Sequence, residues 1–151
     1  MRPHYQKLAF AYVVHQVSNA LTRQLASNLK HKVDLSYSQF LVIAAINFLE
    51  RANQSDVASF LNQSHAAVHR QVNAAVKRGY ITRIDAYGYQ RELLLQITPK
   101  GTRLVEDMSR TLEEELRAIL PTNITLASCI ATLQAVNRQL PRRAAFPFDL
   151  L

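Results

Sequence analysis

The chain opens with a run of apolar residues spaced for a helix: Tyr5, Leu8, Tyr12, Val13, Val17, Ala20, Leu21, Leu25 and Leu29 recur mainly at three- and four-residue steps. No glycine or proline interrupts positions 4–78. The pattern predicts one amphipathic helix to about Lys32, long enough to suggest packing beyond its own chain. Ser36 and Gln39 then form a capping-box pattern, in which the hydroxyl and the side-chain amide satisfy free backbone amides, and a helix from Tyr37 to about Arg51 is expected. Its apolar stretch, residues 40–49, is too short to span a bilayer and reads as a buried helix. Asn53 with Asp56 starts a short helix with Val57, Phe60 and Leu61 inward. Ser64 caps another, with Val68, Val72, Ala75 and Val76 on its apolar side and Gly79 as its stop.

After Gly79 the pattern becomes extended. Residues 80–86 and 92–97 are short β-prone runs, and Tyr87-Gly88-Tyr89-Gln90-Arg91 between them predicts a hairpin with Gly88 at the turn. Thr98-Pro99 is a helix start, with Thr as N-cap and Pro in the first turn, where its missing N–H is harmless. That helix should run to about Leu120, before Pro121. Either Thr122 or Thr125 opens a last helix, which Pro141 ends. The expected fold is mainly α with a small β-hairpin wing: a winged helix-turn-helix over residues 36–98 in a single domain spanning 1–151. Helical regions at 1–32 and 99–141 flank it, and an apolar tail occupies 142–151. In such an arrangement the second helix of the helix-turn-helix enters the major groove of DNA and the hairpin lies alongside.

Composition sharpens this picture. A chain of 151 residues, 48% hydrophobic, can form one domain with a real core. A net charge of +7 favours a polyanionic partner, nucleic acid ahead of an anionic membrane, through counterion release. The excess is uneven: residues 51–101 hold seven Lys/Arg against three acids, whereas residues 102–151 hold six against six. Cys129 is the sole cysteine, which excludes an intrachain disulfide and a cysteine zinc site and suits a reducing cytoplasm. The apolar run Leu8–Val14 behind Arg2 and Lys7 has some character of a secretory leader, with Ser18-Asn19-Ala20 as a weak cleavage sequence. Helical periodicity continues past that point, which favours the helix. No transmembrane segment is legible. Neither is a nucleophile–base set, a phosphate-binding glycine loop or a metal cluster, so no enzyme activity, cofactor or metal is expected.

The candidate chemistry lies on the helix after Ser64. His65, Ala66, His69, Arg70, Asn73 and Lys77 share the face opposite Val68, Val72 and Ala75, and that face carries no acid. Arg70 can fork onto guanine, Asn73 can pair with adenine and Ala66 can touch a thymine methyl. An ordinary solvated face usually carries more glutamate. His65 and His69 have the spacing of a chelating pair, but no third ligand is evident, so they read as neutral hydrogen-bonding groups. Arg83 and Arg91 flank the hairpin, where a narrow minor groove attracts guanidinium groups. Tyr89 and Gln90 complete the expected DNA contacts. Tyr87 and Tyr89 either donate to phosphates or stiffen the hairpin as a packed pair. Cys129, amid Ile130, Ala131 and Leu133, reads as a small apolar residue rather than a redox sensor. Tyr12, His15, Tyr37 and Phe40 either line a pocket for a small-molecule effector or pack the core. The tail Phe146-Pro147-Phe148-Asp149-Leu150-Leu151 either docks on a partner subunit or frays. A winged helix that binds protein without specific DNA binding is the alternative, with the face around Arg70 as its surface.

Several short patterns in order resemble the MarR family of bacterial winged-helix regulators: Ser36-x-x-Gln39-Phe40, Asp56-Val57-Ala58, Val68-x-Arg70-x-Val72 and Lys77-Arg78-Gly79-Tyr80-Ile81-x-Arg83. They continue through Arg91 to Leu95-x-Ile97-Thr98-Pro99-Lys100-Gly101. The resemblance implies a homodimer whose first and last helices interdigitate, binding double-stranded DNA as a transcription repressor in the cytoplasm, associated with the nucleoid. It also implies release by a small effector such as an aromatic acid. Two departures stand out. Wings of this family usually carry Asp-x-Arg where this chain has Tyr89-Gln90-Arg91, leaving Asp85 or Glu92 to orient the arginine. His69 and Asn73 stand where Thr and Asp are common, which implies an unusual DNA site.

Overall fold

The computed structural model describes residues 5–85 and 93–139. The elements run α1 (Gln6–Val33), α2 (Tyr37–Leu49), α3 (Gln54–Leu61), α4 (His65–Lys77), β1 (Ile81–Asp85), β2 (Leu93–Ile97), α5 (Pro99–Ile119) and α6 (Leu126–Gln139). This is the expected order of a winged helix-turn-helix, mainly α with one antiparallel strand pair, between flanking helices. β1 and β2 pair with Ile81 opposite Ile97 and Asp85 opposite Leu93. The turn between them and the segment from Leu140 onward lie outside the described residues, as do the expectations placed on them.

The helix starts follow from side chains that satisfy free amides. Ser36 accepts from the Gln39 amide at 3.2 Å while the Ser36 amide donates to the Gln39 side chain at 3.0 Å. Asn53 and Asp56 repeat the exchange at α3. Ser64 accepts from Ala67, Thr98 from Gly101 and Thr125 from Ser128, which settles the choice between Thr122 and Thr125. α2 ends at Leu49 rather than near Arg51. Glu50 takes a positive φ of 56°, and Ala52 then bridges to Leu95, whose amide donates to the Ala52 carbonyl at 2.8 Å. Glu50 and Arg51 lead out of the helix to Ala52, which ties it to the wing.

α2 is the centre of the packing, in contact with α1, α3, α4, α5 and β2. Phe40, Val42, Ile43, Ala45 and Ile46 are buried, alongside Val57 and Ala58 of α3, Val68, Val72 and Ala75 of α4, and Leu104, Val105 and Met108 of α5. From α1 only Leu25 and Leu29 join this core. The first half of its apolar stripe, Tyr5, Leu8, Tyr12, Val13 and Val17, is more than half exposed at each position. α6 buries nothing, and Ile130 and Leu133 stand in solvent. α1 continues without a break through Ser18–Ala20.

The Thr98–Gly101 turn holds α5 to the end of α4. The Thr98 hydroxyl donates towards the carbonyls of Gly79 (2.8 Å) and Tyr80 (3.1 Å). Lys100 donates to the Arg78 carbonyl at 2.8 Å, with its ammonium 4.5 Å from the centre of the Tyr80 ring. Gly79 sits at φ 75°, the left-handed stop expected after α4. Gly101 is needed for closeness: a Cβ there would collide with the Tyr80 carbonyl oxygen and lie 2.6 Å from Ile97 Cγ1. Gly101→Ala is therefore expected to destabilise the fold by about 1–3 kcal/mol, despite the higher helix propensity of alanine. A lowered urea midpoint with unchanged slope checks it; equal or greater stability would show that the turn has room.

Candidate nucleic-acid interface

α4 is oriented by what it buries. Val68, Val72 and Ala75 are fully enclosed, and each large apolar side chain so buried contributes about 1.5–3 kcal/mol. With that stripe fixed against α2 and α3, helical geometry turns His65, Ala66, His69, Arg70, Asn73 and Lys77 outward, and all six are exposed. The face holds no carboxylate. The turn before it is tight because Asn62 adopts the left-handed region (φ 50°), and the Gln63 amide donates back to the Ala58 carbonyl at 3.0 Å.

Within that face a connected set of hydrogen bonds appears. His69 Nδ1 lies 3.0 Å from Gln54 Oε1, at the start of α3. The Asn73 amide nitrogen lies 3.0 Å from His69 Nε2. Asn73 Oδ1 accepts from the Arg83 guanidinium on β1. Both ring nitrogens of His69 are thus engaged, which leaves none for the chelating pair with His65. Arg83, on the hairpin strand β1 as expected, also reaches Asn73 on the α4 face. Gln54 was not foreseen from sequence: it lies 15 residues from His69, and only the α3–α4 packing angle brings them together. These bonds are exposed and worth roughly 0.5–1.5 kcal/mol each, so the buried stripe, not the surface set, decides how α4 sits.

Of the wing candidates, Tyr89, Gln90 and Arg91 lie outside the described residues, as does the Asp85 side chain. The four residues considered for an effector site do not share one location. Phe40 is a core residue and Tyr37 packs against the core, whereas Tyr12 is 60% exposed and His15 bonds Asn19 on the surface of α1. Two hollows beside α5 are lined by none of them. One, of about 370 Å³, is bounded by Lys32, Val33, Leu104, Asp107, Met108 and Arg110. Its neighbour shares Val33, Leu104 and Asp107 and reaches Tyr80 and Arg103. Cys129 is half-buried, with a free thiol. Among the described residues no helix is long and apolar enough to cross a membrane.

Residues 33–92, which include α2 to α4 and β1, match the model described as MarR family. Over that segment the chain is similar to the MarR family. It is 23% identical over 129 residues to the multiple antibiotic resistance protein MarR of Salmonella typhimurium, covering 85% of this chain and 86% of that one. Among solved structures it is similar to the transcriptional regulator BldR from Sulfolobus solfataricus, with a TM-score of 0.76 and 18% identity over 93% of this chain and all of that one. A mutant MarR from Escherichia coli, complexed with operator DNA, aligns with a TM-score of 0.69 and 19% identity, again over 93% of this chain and 100% of that one. The winged-helix fold of these structures thus extends with its flanking helices over nearly the whole chain.

Proposed function

We propose that this protein is a MarR-family regulator that binds double-stranded DNA sequence-specifically as a homodimer, with one α4 in each of two successive major grooves, and represses transcription. The observation that carries this reading is the α4 face: six outward side chains that can donate, accept or touch methyl groups, without one acid to repel phosphate. The relative complexed with operator DNA supports it. Residues 36–98 act as the DNA-binding region, with His65, Ala66, His69, Arg70, Asn73, Lys77 and Arg83, and from the wing Tyr89, Gln90 and Arg91, as its contacts. Residues 1–32 and 99–141 act as the dimerisation region. The exposed apolar stripe from Tyr5 to Val17 and the exposed Ile130 and Leu133 of α6 support that assignment, since a soluble monomer rarely leaves contiguous apolar surface of this extent in water.

A small-molecule effector fits the hollow between the end of α1 and α5. Val33, Leu104 and Met108 supply an apolar wall, and Lys32, beside an Arg110 that pairs with Asp107 at 3.6 Å, is the cation for a carboxylate. An aromatic acid has that combination of ring and charge.

Binding to duplexes selected from a random pool should weaken steeply with salt, and footprints should show pseudo-palindromic half-sites about 10 base pairs apart. Arg70→Ala should cost about 1–3 kcal/mol at one base pair. A shallow salt slope without sequence preference would instead favour a protein-binding winged helix. Val13→Glu combined with Leu133→Glu should give a folded monomer by sedimentation with loss of operator binding; an unchanged dimer would place the interface elsewhere. Benzoate-type acids in large excess over their Kd should raise Tm by several degrees, since such occupancy stabilises by about 2–3 kcal/mol. Lys32→Ala should abolish that shift.

A further inference from the structure

We propose that Gln54, on the helix before the recognition helix, is a specificity-determining positioning residue: by holding the His69 ring in one tautomer it keeps the Asn73 amide in the direction that Arg83 sets. This rests on the DNA-binding reading of α4. The direction of the chain is forced from its far end. A guanidinium can only donate, so the atom of Asn73 that meets Arg83 must be the carbonyl oxygen. The amide nitrogen is then the atom facing His69 Nε2, and because an NH2 group only donates, Nε2 must be the bare, accepting nitrogen. The ring proton therefore sits on Nδ1 and is donated to Gln54 Oε1. One neutral tautomer satisfies all three bonds; the other sets two donors against each other.

The consequence lies in what Asn73 has left to offer. Each of its two polar atoms spends one valence within the protein. One N–H on the His69 side and one lone pair on the Arg83 side remain for the groove. A bidentate contact to adenine needs a donor for N7 and an acceptor for the N6 amino group, in a set order. A freely turning asparagine can present either order; one locked between His69 and Arg83 presents one. Gln54 and Arg83 together thus select a base pair that Gln54 need not touch. Gln54 lies half-buried in the first turn of α3 and outside the hydrophobic core, so replacing it leaves the core intact.

Two measurements on the full-length protein decide this. In the free 15N-labelled protein at mildly alkaline pH, long-range proton–nitrogen correlation should show His69 Nδ1 protonated and Nε2 bare. In Gln54→Ala that signature should be lost. On the best duplex selected from a randomised pool and its single-base variants, Gln54→Ala should lower discrimination at one base pair by about tenfold and leave the other positions unchanged. Gln54→Glu keeps the acceptor: it should restore both the ring signature and the discrimination while lowering affinity uniformly through its charge. A protonated Nε2 in the wild-type protein overturns the proposal whether or not DNA binds. So does equal weakening by Gln54→Ala at every position, or unchanged discrimination. Failure to select any duplex overturns the DNA-binding reading and the discrimination with it, while the ring spectrum still decides the chain of bonds by itself.

Discussion

The enclosure of α2 is the constraint on which the rest of the molecule depends. Five other elements lean on this one helix, and between Phe40 and Leu49 only Phe48 is plainly exposed. A helix that is apolar almost all round cannot be stable on a surface. It becomes a helix of the interior only if amphipathic neighbours each cover part of it. α3 and α4 supply short stripes, β2 supplies Leu95, and α5 supplies Leu104 and Met108. The winged helix meets this demand because the α3–α4 turn wraps two stripes around one side and the wing closes another through the Ala52–Leu95 bridge.

Covering α2 also decides which part of α4 is free. The valines and Ala75 bury the same stripe that any homologous core would demand, and the polar residues between them are what remains. Their exposure costs nothing further, so the outward face can vary in chemistry without altering the fold. That separation explains how His69 and Asn73 occupy positions where the family commonly has Thr and Asp. They are free of packing duty, and their mutual bonds with Gln54 and Arg83 form a surface layer weaker than the core beneath it.

The elements were legible in the sequence where one local rule dominated. Capping patterns at Ser36, Asn53, Ser64 and Thr98 located four helix starts, because a cap needs only residues three apart. The outward face of α4 followed from periodicity. What escaped were consequences of packing angle. The termination of α2 at Leu49 depends on a bridge to Leu95, more than 40 residues away in sequence. The direction of Arg83 and the involvement of Gln54 depend on how β1 and α3 approach α4. The effector candidates show the same limit: Phe40 has the apolar character of a pocket wall, but the same character sends it into the core.

The connection between the flanking helices and α4 then becomes a question of magnitudes. Asp34 and Arg78 form an ion pair at 3.7 Å, and Arg78 also donates to the Asp34 carbonyl, joining the ends of α1 and α4. Asp34 is 92% exposed in its side chain, and such a surface pair contributes roughly 0–1 kcal/mol. Leu29 and Leu35, in contrast, are sealed in the core on either side of that point, each contributing about 1.5–3 kcal/mol. The buried leucines therefore hold the end of α1 in place, and the arginine only trims its direction. α5 is joined to the same helix through Glu115, which accepts from Gln24 and Asn28, and through Lys32 to Thr111. A ligand seated between Val33 and Leu104 would press on the apolar seam between α1 and α5 rather than on the exposed bonds at its edge. Any shift it caused would reach α4 through α2, which both helices and α4 touch, and through the Arg78 contacts with Asp34 and Lys100.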